Sequence, residues 1–149
     1  MKSLFIYYSY TGNGELIAKE LEKKGIDLRP IKRKKPLPKS FFLGMMSGGF
    51  LAATKHKDEL IDFDPNIEGY EHIIIGSPIW NARLASPINT VLGSLNLEGK
   101  ALAFLLYAGS GEGKKAVKRI NKEYPKAEII LFKEPKKYPE ELDKLNQLS

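Results

Sequence analysis

The chain has no cysteine. That excludes disulfides, thiolate metal sites and a cysteine nucleophile, and it agrees with a cytoplasmic protein. Its two histidines, His56 and His72, have no ligand-type residues spaced around them, so neither suggests a metal. No apolar run reaches about 18 residues, so no membrane-spanning helix is expected. Met1-Lys2-Ser3 leads into an apolar stretch of only about five residues, too short for the core of a secretory signal. No G-x-x-x-x-G-K-[ST] occurs, which removes the phosphate loop of nucleotide hydrolases. Negative charge is missing from one long segment: Lys32 to Lys57 holds seven basic residues and no acidic ones.

What remains is globular in character. The 149 residues are 42% hydrophobic and 28% charged, which suits one domain, residues 1–149, with a substantial core. The net charge of +6 belongs to the segment just named, because the rest of the chain carries 17 basic against 18 acidic residues. The protein reads as a near-neutral domain with a basic and apolar insert at about 32–57. A nucleic-acid site calls for a basic stripe with base-stacking aromatics, whereas Phe41, Phe42 and Phe50 lie in an apolar context, so no nucleic-acid partner is expected. The run Lys32-Arg33-Lys34-Lys35 reads as a solvated loop. The stretch Phe41 to Leu51 is expected to pack over the sheet, with a homodimer contact as the alternative.

Short apolar runs alternate with helical patterns. Leu4 to Tyr8, His72 to Gly76, Ala101 to Tyr107 and Ala127 to Phe132 are apolar on both faces, as buried parallel strands require. Ile26 to Ile31 alternates and carries Pro30, so it reads as an edge strand. Helical spacing joins Leu16, Ile17 and Leu21; then Ala85, Ile88, Val91, Leu92 and Leu95; then Ala116, Val117, Ile120 and Tyr124. Tyr138, Leu142, Leu145 and Leu148 mark a last helix, with Pro139 in its first turn. This alternation predicts a doubly wound, three-layer α/β sandwich with a five-stranded parallel sheet in the order 2-1-3-4-5. Residues 36–57 break the alternation and are expected to form one or two short helical pieces.

In such sheets, ligands bind beyond the carboxyl ends of the strands, where the strand order reverses. Three loops fall there. Ser9-Tyr10-Thr11-Gly12-Asn13-Gly14 joins the first strand to a helix start, where free N–H groups and the helix dipole favour an anion. It contains no Lys or Arg, so it reads as a clamp for a phosphate that is held and not transferred. Taken alone, an ordinary capped turn accounts for it equally well. Gly76 to Arg83 follows the third strand; Pro78 is expected to stop that strand and to leave Trp80, the sole tryptophan, on a loop tip. Tyr107 to Gly113 follows the fourth strand, and its glycines permit close approach to a planar ligand. A phosphate clamp, an aromatic plate and a glycine-rich wall suit a flat ring system bearing one phosphate.

The sequence resembles flavodoxins and flavodoxin-like FMN proteins, flavodoxin being the standard example of this strand order. The likeness rests on Leu4 to Gly14, on Gly76-Ser77-Pro78-Ile79-Trp80, and more loosely on Tyr107 to Gly113, and it spans most of the chain except residues 32–57. It implies that Ser9, Tyr10, Thr11, Gly12, Asn13 and Gly14 hold the FMN phosphate. It implies that Ser77, Pro78, Ile79, Trp80 and Asn81 cover the flavin with Trp80 stacked on it, and that Ala108, Gly109, Ser110, Gly111 and Gly113 line its other edge. Many flavodoxins are strongly acidic, whereas this chain is basic. A basic segment near the flavin is expected to make the reduction potential less negative. The insert after strand two is similar to that of a smaller subgroup of the superfamily.

The expected function is electron transfer through non-covalently bound FMN, with a redox partner protein or a small-molecule donor or acceptor. The alternatives are an NAD(P)H-dependent, quinone reductase-like FMN oxidoreductase and a cofactor-free binding module of the same fold. Receiver-domain chemistry needs acidic residues after strand one, and Tyr8-Ser9-Tyr10 supplies none.

Overall fold

The structure is a computed structural model that describes residues 1–34 and 59–149. The helical pieces expected within 36–57, and the dimer contact expected at 41–51, lie outside the described residues. The elements run β1 (Ser3–Tyr7), α1 (Asn13–Lys23), β2 (Asp27–Pro30), β3 (His72–Trp80), β4 (Arg83–Leu84), α2 (Ser86–Ser94), β5 (Ala101–Ala108), α3 (Lys114–Glu123) and β6 (Glu128–Lys133). A 3₁₀ helix, Pro139–Gln147, ends the chain.

The sheet has the order β2-β1-β3-β5-β6, and all of these neighbours pair in parallel. This is the expected 2-1-3-4-5 order, with β5 and β6 as its fourth and fifth strands. The addition is β4, which pairs antiparallel with the end of β3 through Ile79↔Leu84 and Trp80↔Arg83. The two residues between, Asn81 and Ala82, both have positive φ, at 51° and 63°. Two-residue hairpin turns need that geometry, and glycine usually marks them. Asn81-Ala82 carries no glycine, so the hairpin leaves no clear trace in the sequence.

Pro78 does not stop β3, contrary to the sequence-based expectation. Alternate residues of a parallel strand turn their N–H and C=O groups to opposite neighbours. Gly76 faces β1, since its carbonyl accepts the Tyr8 N–H at 3.1 Å. Pro78 therefore faces the same side, beyond the last β1 pairing at Tyr7↔Gly76. The missing proline N–H is not needed there. On the other side β3 stays paired with β5 as far as Pro78↔Tyr107.

Residue alternation along the strands separates two cores. Leu4, Ile6, Ile73, Ile75, Phe104 and Leu106 pack with Ile88, Val91 and Leu92 of α2 and with Ala116 and Ile120 of α3. Phe5, Tyr7, Ile74, Leu105 and Phe132 pack on the opposite face with Ile17, Ala18 and Leu21 of α1 and with Leu145. The C-terminal helix is 3₁₀ rather than α. Leu142 and Leu145 stand one 3₁₀ turn apart on its inner face, and Leu148 follows just past its end. Leu145 is buried, and the other two pack beside it. At the sheet's edge, Arg29 of β2 donates to the carbonyls of Asp64, at 2.9 Å, and Asn66, at 2.7 Å.

Two stability measurements follow. A Cβ on Gly76 would lie 2.6 Å from Phe5 Cζ and 2.8 Å from Tyr7 Cβ, inside the stacked Phe5–Tyr7 pair. Gly76→Ala is expected to cost roughly 1–3 kcal/mol in urea denaturation. His72 is buried at the start of β3, and burial lowers its pKa below the ordinary 6.5, with the Glu128 carboxylate opposing. As pH falls, the unfolded chain takes up this proton before the folded chain does. Stability should therefore decline from neutral pH through 6.5 and level off below the folded pKa. His72→Gln should flatten that part of a pH series of urea midpoints.

Candidate functional site

β1 ends at Tyr7, while its neighbour β3 runs on to Trp80 and β5 to Ala108. The chain leaving β1 therefore crosses a step in the sheet before it starts α1. Gly12, at φ 98°, makes the last bend, a conformation that suits glycine. Ser9 Oγ accepts the Gly14 N–H at 3.1 Å and so satisfies one of the free donors at the helix start. Asn13 Nδ2 donates to Thr11 Oγ1 at 3.3 Å. Beneath the turn lies Tyr107, buried, whose hydroxyl donates to the Tyr8 carbonyl. Burial raises the Tyr107 pKa well above the ordinary tyrosine value, so it stays a donor. Tyr7, which donates to Glu15 at 3.2 Å, is likewise pushed up to about 12, by burial first and by Glu15 second.

Three clefts run together along this rim. An outer cleft of about 430 Å³ lies between Asn81-Ala82 and the Ala108 to Lys114 loop, with Ile79 at its base. It shares Ile79, Ala108 and Gly109 with a narrow middle cleft of about 100 Å³, also lined by Tyr10, Thr11, Asn13, Pro78, Trp80, Tyr107 and Glu134. The middle cleft shares Thr11, Asn13 and Glu134 with a recess of about 280 Å³ completed by Lys136 and Lys137. The result is one continuous groove, with Thr11, Asn13, Glu134 and two lysines at one end and, at the other, a glycine-bearing wall with Asn81, Ser110, Glu112 and Lys114 around it.

Of the residues singled out in the sequence, Tyr10, Thr11, Asn13, Pro78, Ile79, Trp80, Asn81, Ala108, Gly109, Ser110 and Gly113 line this groove. Gly12 and Gly14 shape the turn behind it. Ser9 reaches a neighbouring cleft beside Lys32 and Arg33. Ser77 does not reach the groove: it is buried, donates to the Pro78 carbonyl at 2.8 Å and accepts the Ala85 N–H at 3.1 Å. Gly111, at φ 74°, turns against Lys133 on the loop's outer side. Gly113 packs on Ile79, 3.1 Å from where its Cβ would stand.

Trp80 differs most from expectation. It closes β3 instead of sitting on a loop tip, is 2% exposed, and meets Tyr8 and Tyr10 edge-on at 5.7 and 6.4 Å. The antiparallel β4 holds it down. The sequence reading also missed the loop after β6. Glu134, Lys136 and Lys137 come from the far side of the sheet, and no spacing rule ties them to Thr11. The signal available was indirect: α1 and the C-terminal helix pack on the same face, which brings the loop between β6 and that helix beside the start of α1. Among the described residues no cluster of His, Cys, Asp or Glu could hold a metal, and no helix is long and apolar enough to cross a membrane.

A Cβ on Gly14 would lie 2.6 Å from the Tyr107 hydroxyl and 3.0 Å from Ser9 Cβ. Gly14→Ala should therefore destabilise by roughly 1–3 kcal/mol. Adding Tyr107→Phe removes the atom that meets the new methyl, so thermal denaturation of the double variant should show a smaller loss than the two single losses combined.

The comparisons with known proteins agree with this geometry. No curated protein matches the sequence. Among similar solved structures is a protein from Bacteroides eggerthii DSM 20697 provisionally assigned as a flavoprotein, with 24% identity, TM-score 0.74, and 97% of this chain and 98% of that one covered. Another is a flavoprotein from Lactobacillus acidophilus NCFM solved in complex with FMN, with 21% identity, TM-score 0.67, and 87% and 89% covered. A flavodoxin from the domain Archaea aligns at 21% identity and TM-score 0.52, over 99% and 93% of the two chains. These structures share the fold. The family model described as flavodoxin matches residues 2–144, nearly the whole chain, and the protein therefore belongs to the flavodoxin family.

Proposed function

We propose that this protein binds FMN non-covalently in the groove and works as an electron carrier. The observation that carries the reading is the lining of the groove's two ends. The Thr11 hydroxyl, the Asn13 amide and the start of α1 sit at one end beside Lys136 and Lys137, and the Gly109 wall faces Asn81 and Ala82 at the other. The fit to FMN can be judged from the side chains present. At Gly109 the nearest atom to an added Cβ is Glu134 Oε1 at 3.9 Å, so the wall leaves space where a flat ring would lie. Gly12 and Asn13 present the start of α1, and Thr11 and Asn13 add a hydroxyl and an amide. This donor set suits a phosphate that is gripped and left intact. Trp80, buried and held by Tyr8 and Tyr10, backs the middle of the groove from the core instead of offering a stacking face.

In this reading the bound flavin accepts and passes on electrons. The chain's own residues hold the phosphate at the α1 start, orient the ring between the β3–β4 turn and the β5–α3 loop, and leave the outer cleft open. Gly109, Ser110 and Glu112 are exposed there, as exchange with a redox partner requires. A similar protein crystallised with FMN supports the choice of cofactor.

The test is the visible spectrum of purified protein, followed by heat release of the chromophore and reconstitution of the stripped protein. One equivalent of FMN with flavin absorption bands is expected. Colourless protein that takes up no FMN would overturn the reading in favour of a cofactor-free module. Rapid bleaching by NADPH alone, with no partner protein, would replace the carrier with an NAD(P)H-dependent oxidoreductase.

A further inference from the structure

We infer that Lys136, from the loop after β6, supplies the positive charge that the phosphate turn itself lacks, and that it makes the site select the phosphorylated flavin over riboflavin. This rests on the FMN reading above and names a residue beyond it. The turn from Ser9 to Gly14 has no cation of its own. Lys136 reaches it at two points. Its backbone N–H donates to Asn13 Oδ1 at 2.9 Å, and its ammonium donates to the Thr11 carbonyl at 3.3 Å. The ammonium also stands 3.7 Å from where a Cβ on Gly12 would be, directly over the bend that opens α1.

The position is built into the loop. Lys137 and Tyr138 donate their N–H groups to the Glu134 carbonyl at 2.8 and 2.9 Å, and Glu134 adopts φ 34° to close that turn. Pro135 is buried beneath it. The neighbouring lysines are directed elsewhere. The Lys137 and Lys133 ammonium groups lie over the Tyr138 ring, at 5.5 and 5.0 Å. The Glu134 carboxylate, with Oε1 toward Gly109, lines both the recess and the middle cleft and is the opposing charge that Lys136 offsets. Lys136 is thus the cation of the recess that is tied to the turn. A phosphate monoester carries close to two negative charges at neutral pH, and a lysine ammonium binds it as a point charge. Riboflavin has no phosphate and gains nothing from that charge.

The experiment compares FMN and riboflavin affinities, by flavin fluorescence and calorimetry, for the stripped wild-type protein and for Lys136→Gln, Lys136→Arg and Lys126→Gln. Glutamine keeps a polar donor, one bond shorter than lysine, and the backbone bond to Asn13, but removes the charge. Lys126 is exposed before β6, at the opposite end of that strand from the groove, and serves as the charge control. Because Lys136 is solvent-exposed, the expected loss of FMN affinity in Lys136→Gln is about three- to tenfold at low salt, shrinking at about 0.5 M NaCl. Riboflavin affinity should stay unchanged, and Lys136→Arg should restore FMN binding. Unaltered FMN affinity in Lys136→Gln, an equal loss for riboflavin, or an equal loss in Lys126→Gln would overturn the inference and leave the FMN reading standing. Wild-type protein that binds neither flavin would overturn both.

Discussion

The Tyr8 carbonyl is the point on which the site's architecture turns. It lies just past the end of β1, where the ladder to β3 has closed and no strand remains to pair with it. A buried carbonyl in that position must find a donor or cost the fold of order a kilocalorie or more. Tyr107 supplies the donor from β5, crossing behind β3 to do so. The cost of this solution appears at α1, whose second residue must be glycine because the phenol fills the space a side chain would occupy. One hydrogen bond thereby ties the end of β1, the end of β5 and the start of α1 into a single rigid corner. The groove is the space left on the solvent side of that corner.

The second constraint is strand length. β3 and β5 run past β1, and the overhang of β3 is stabilised by folding back on itself as β4. The β3–β4 turn is then held from the other side, since its Ala82 carbonyl accepts the Ala116 N–H of α3 at 2.8 Å. The wall at Gly109 and the turn at Asn81-Ala82 therefore face each other and are tied together, because α3 continues directly from the Gly109 loop. A rim linked in this way has its spacing set by the protein's own hydrogen bonds.

Much of this was legible from residue patterns. Short, β-branched apolar runs such as Ile73-Ile74-Ile75, bounded by Gly and Pro, suit strands buried on both faces, as a parallel sheet requires. The edge character of β2 was visible in Pro30. The strand order followed, and with it the meeting of the first, third and fourth strand loops. What escaped detection depended on relations between distant residues. Pro78 carries the usual signal of a strand end, and that signal is cancelled only because β1 stops two residues earlier on the side the proline faces. Asn81-Ala82 makes a hairpin turn without the glycine that would announce it. Leu142, Leu145 and Leu148 fit a period of three as well as one of 3.6, so their spacing does not separate a 3₁₀ helix from an α-helix. Lys136 lies 123 positions from Asn13 in sequence, and their contact exists because two helices share a face of the sheet.

β2 carries a consequence of a different kind. It has four residues, ends in proline, and lies at the outside of a sheet whose interior strands are almost wholly apolar. Its Arg29 guanidinium draws the backbone of residues 64–66 alongside through their carbonyl oxygens. A bare flank on such a sheet would be a template for cross-β growth between molecules. Brevity, an imino acid and a tethered neighbouring segment together make that side of the sheet a poor seed for polymerisation.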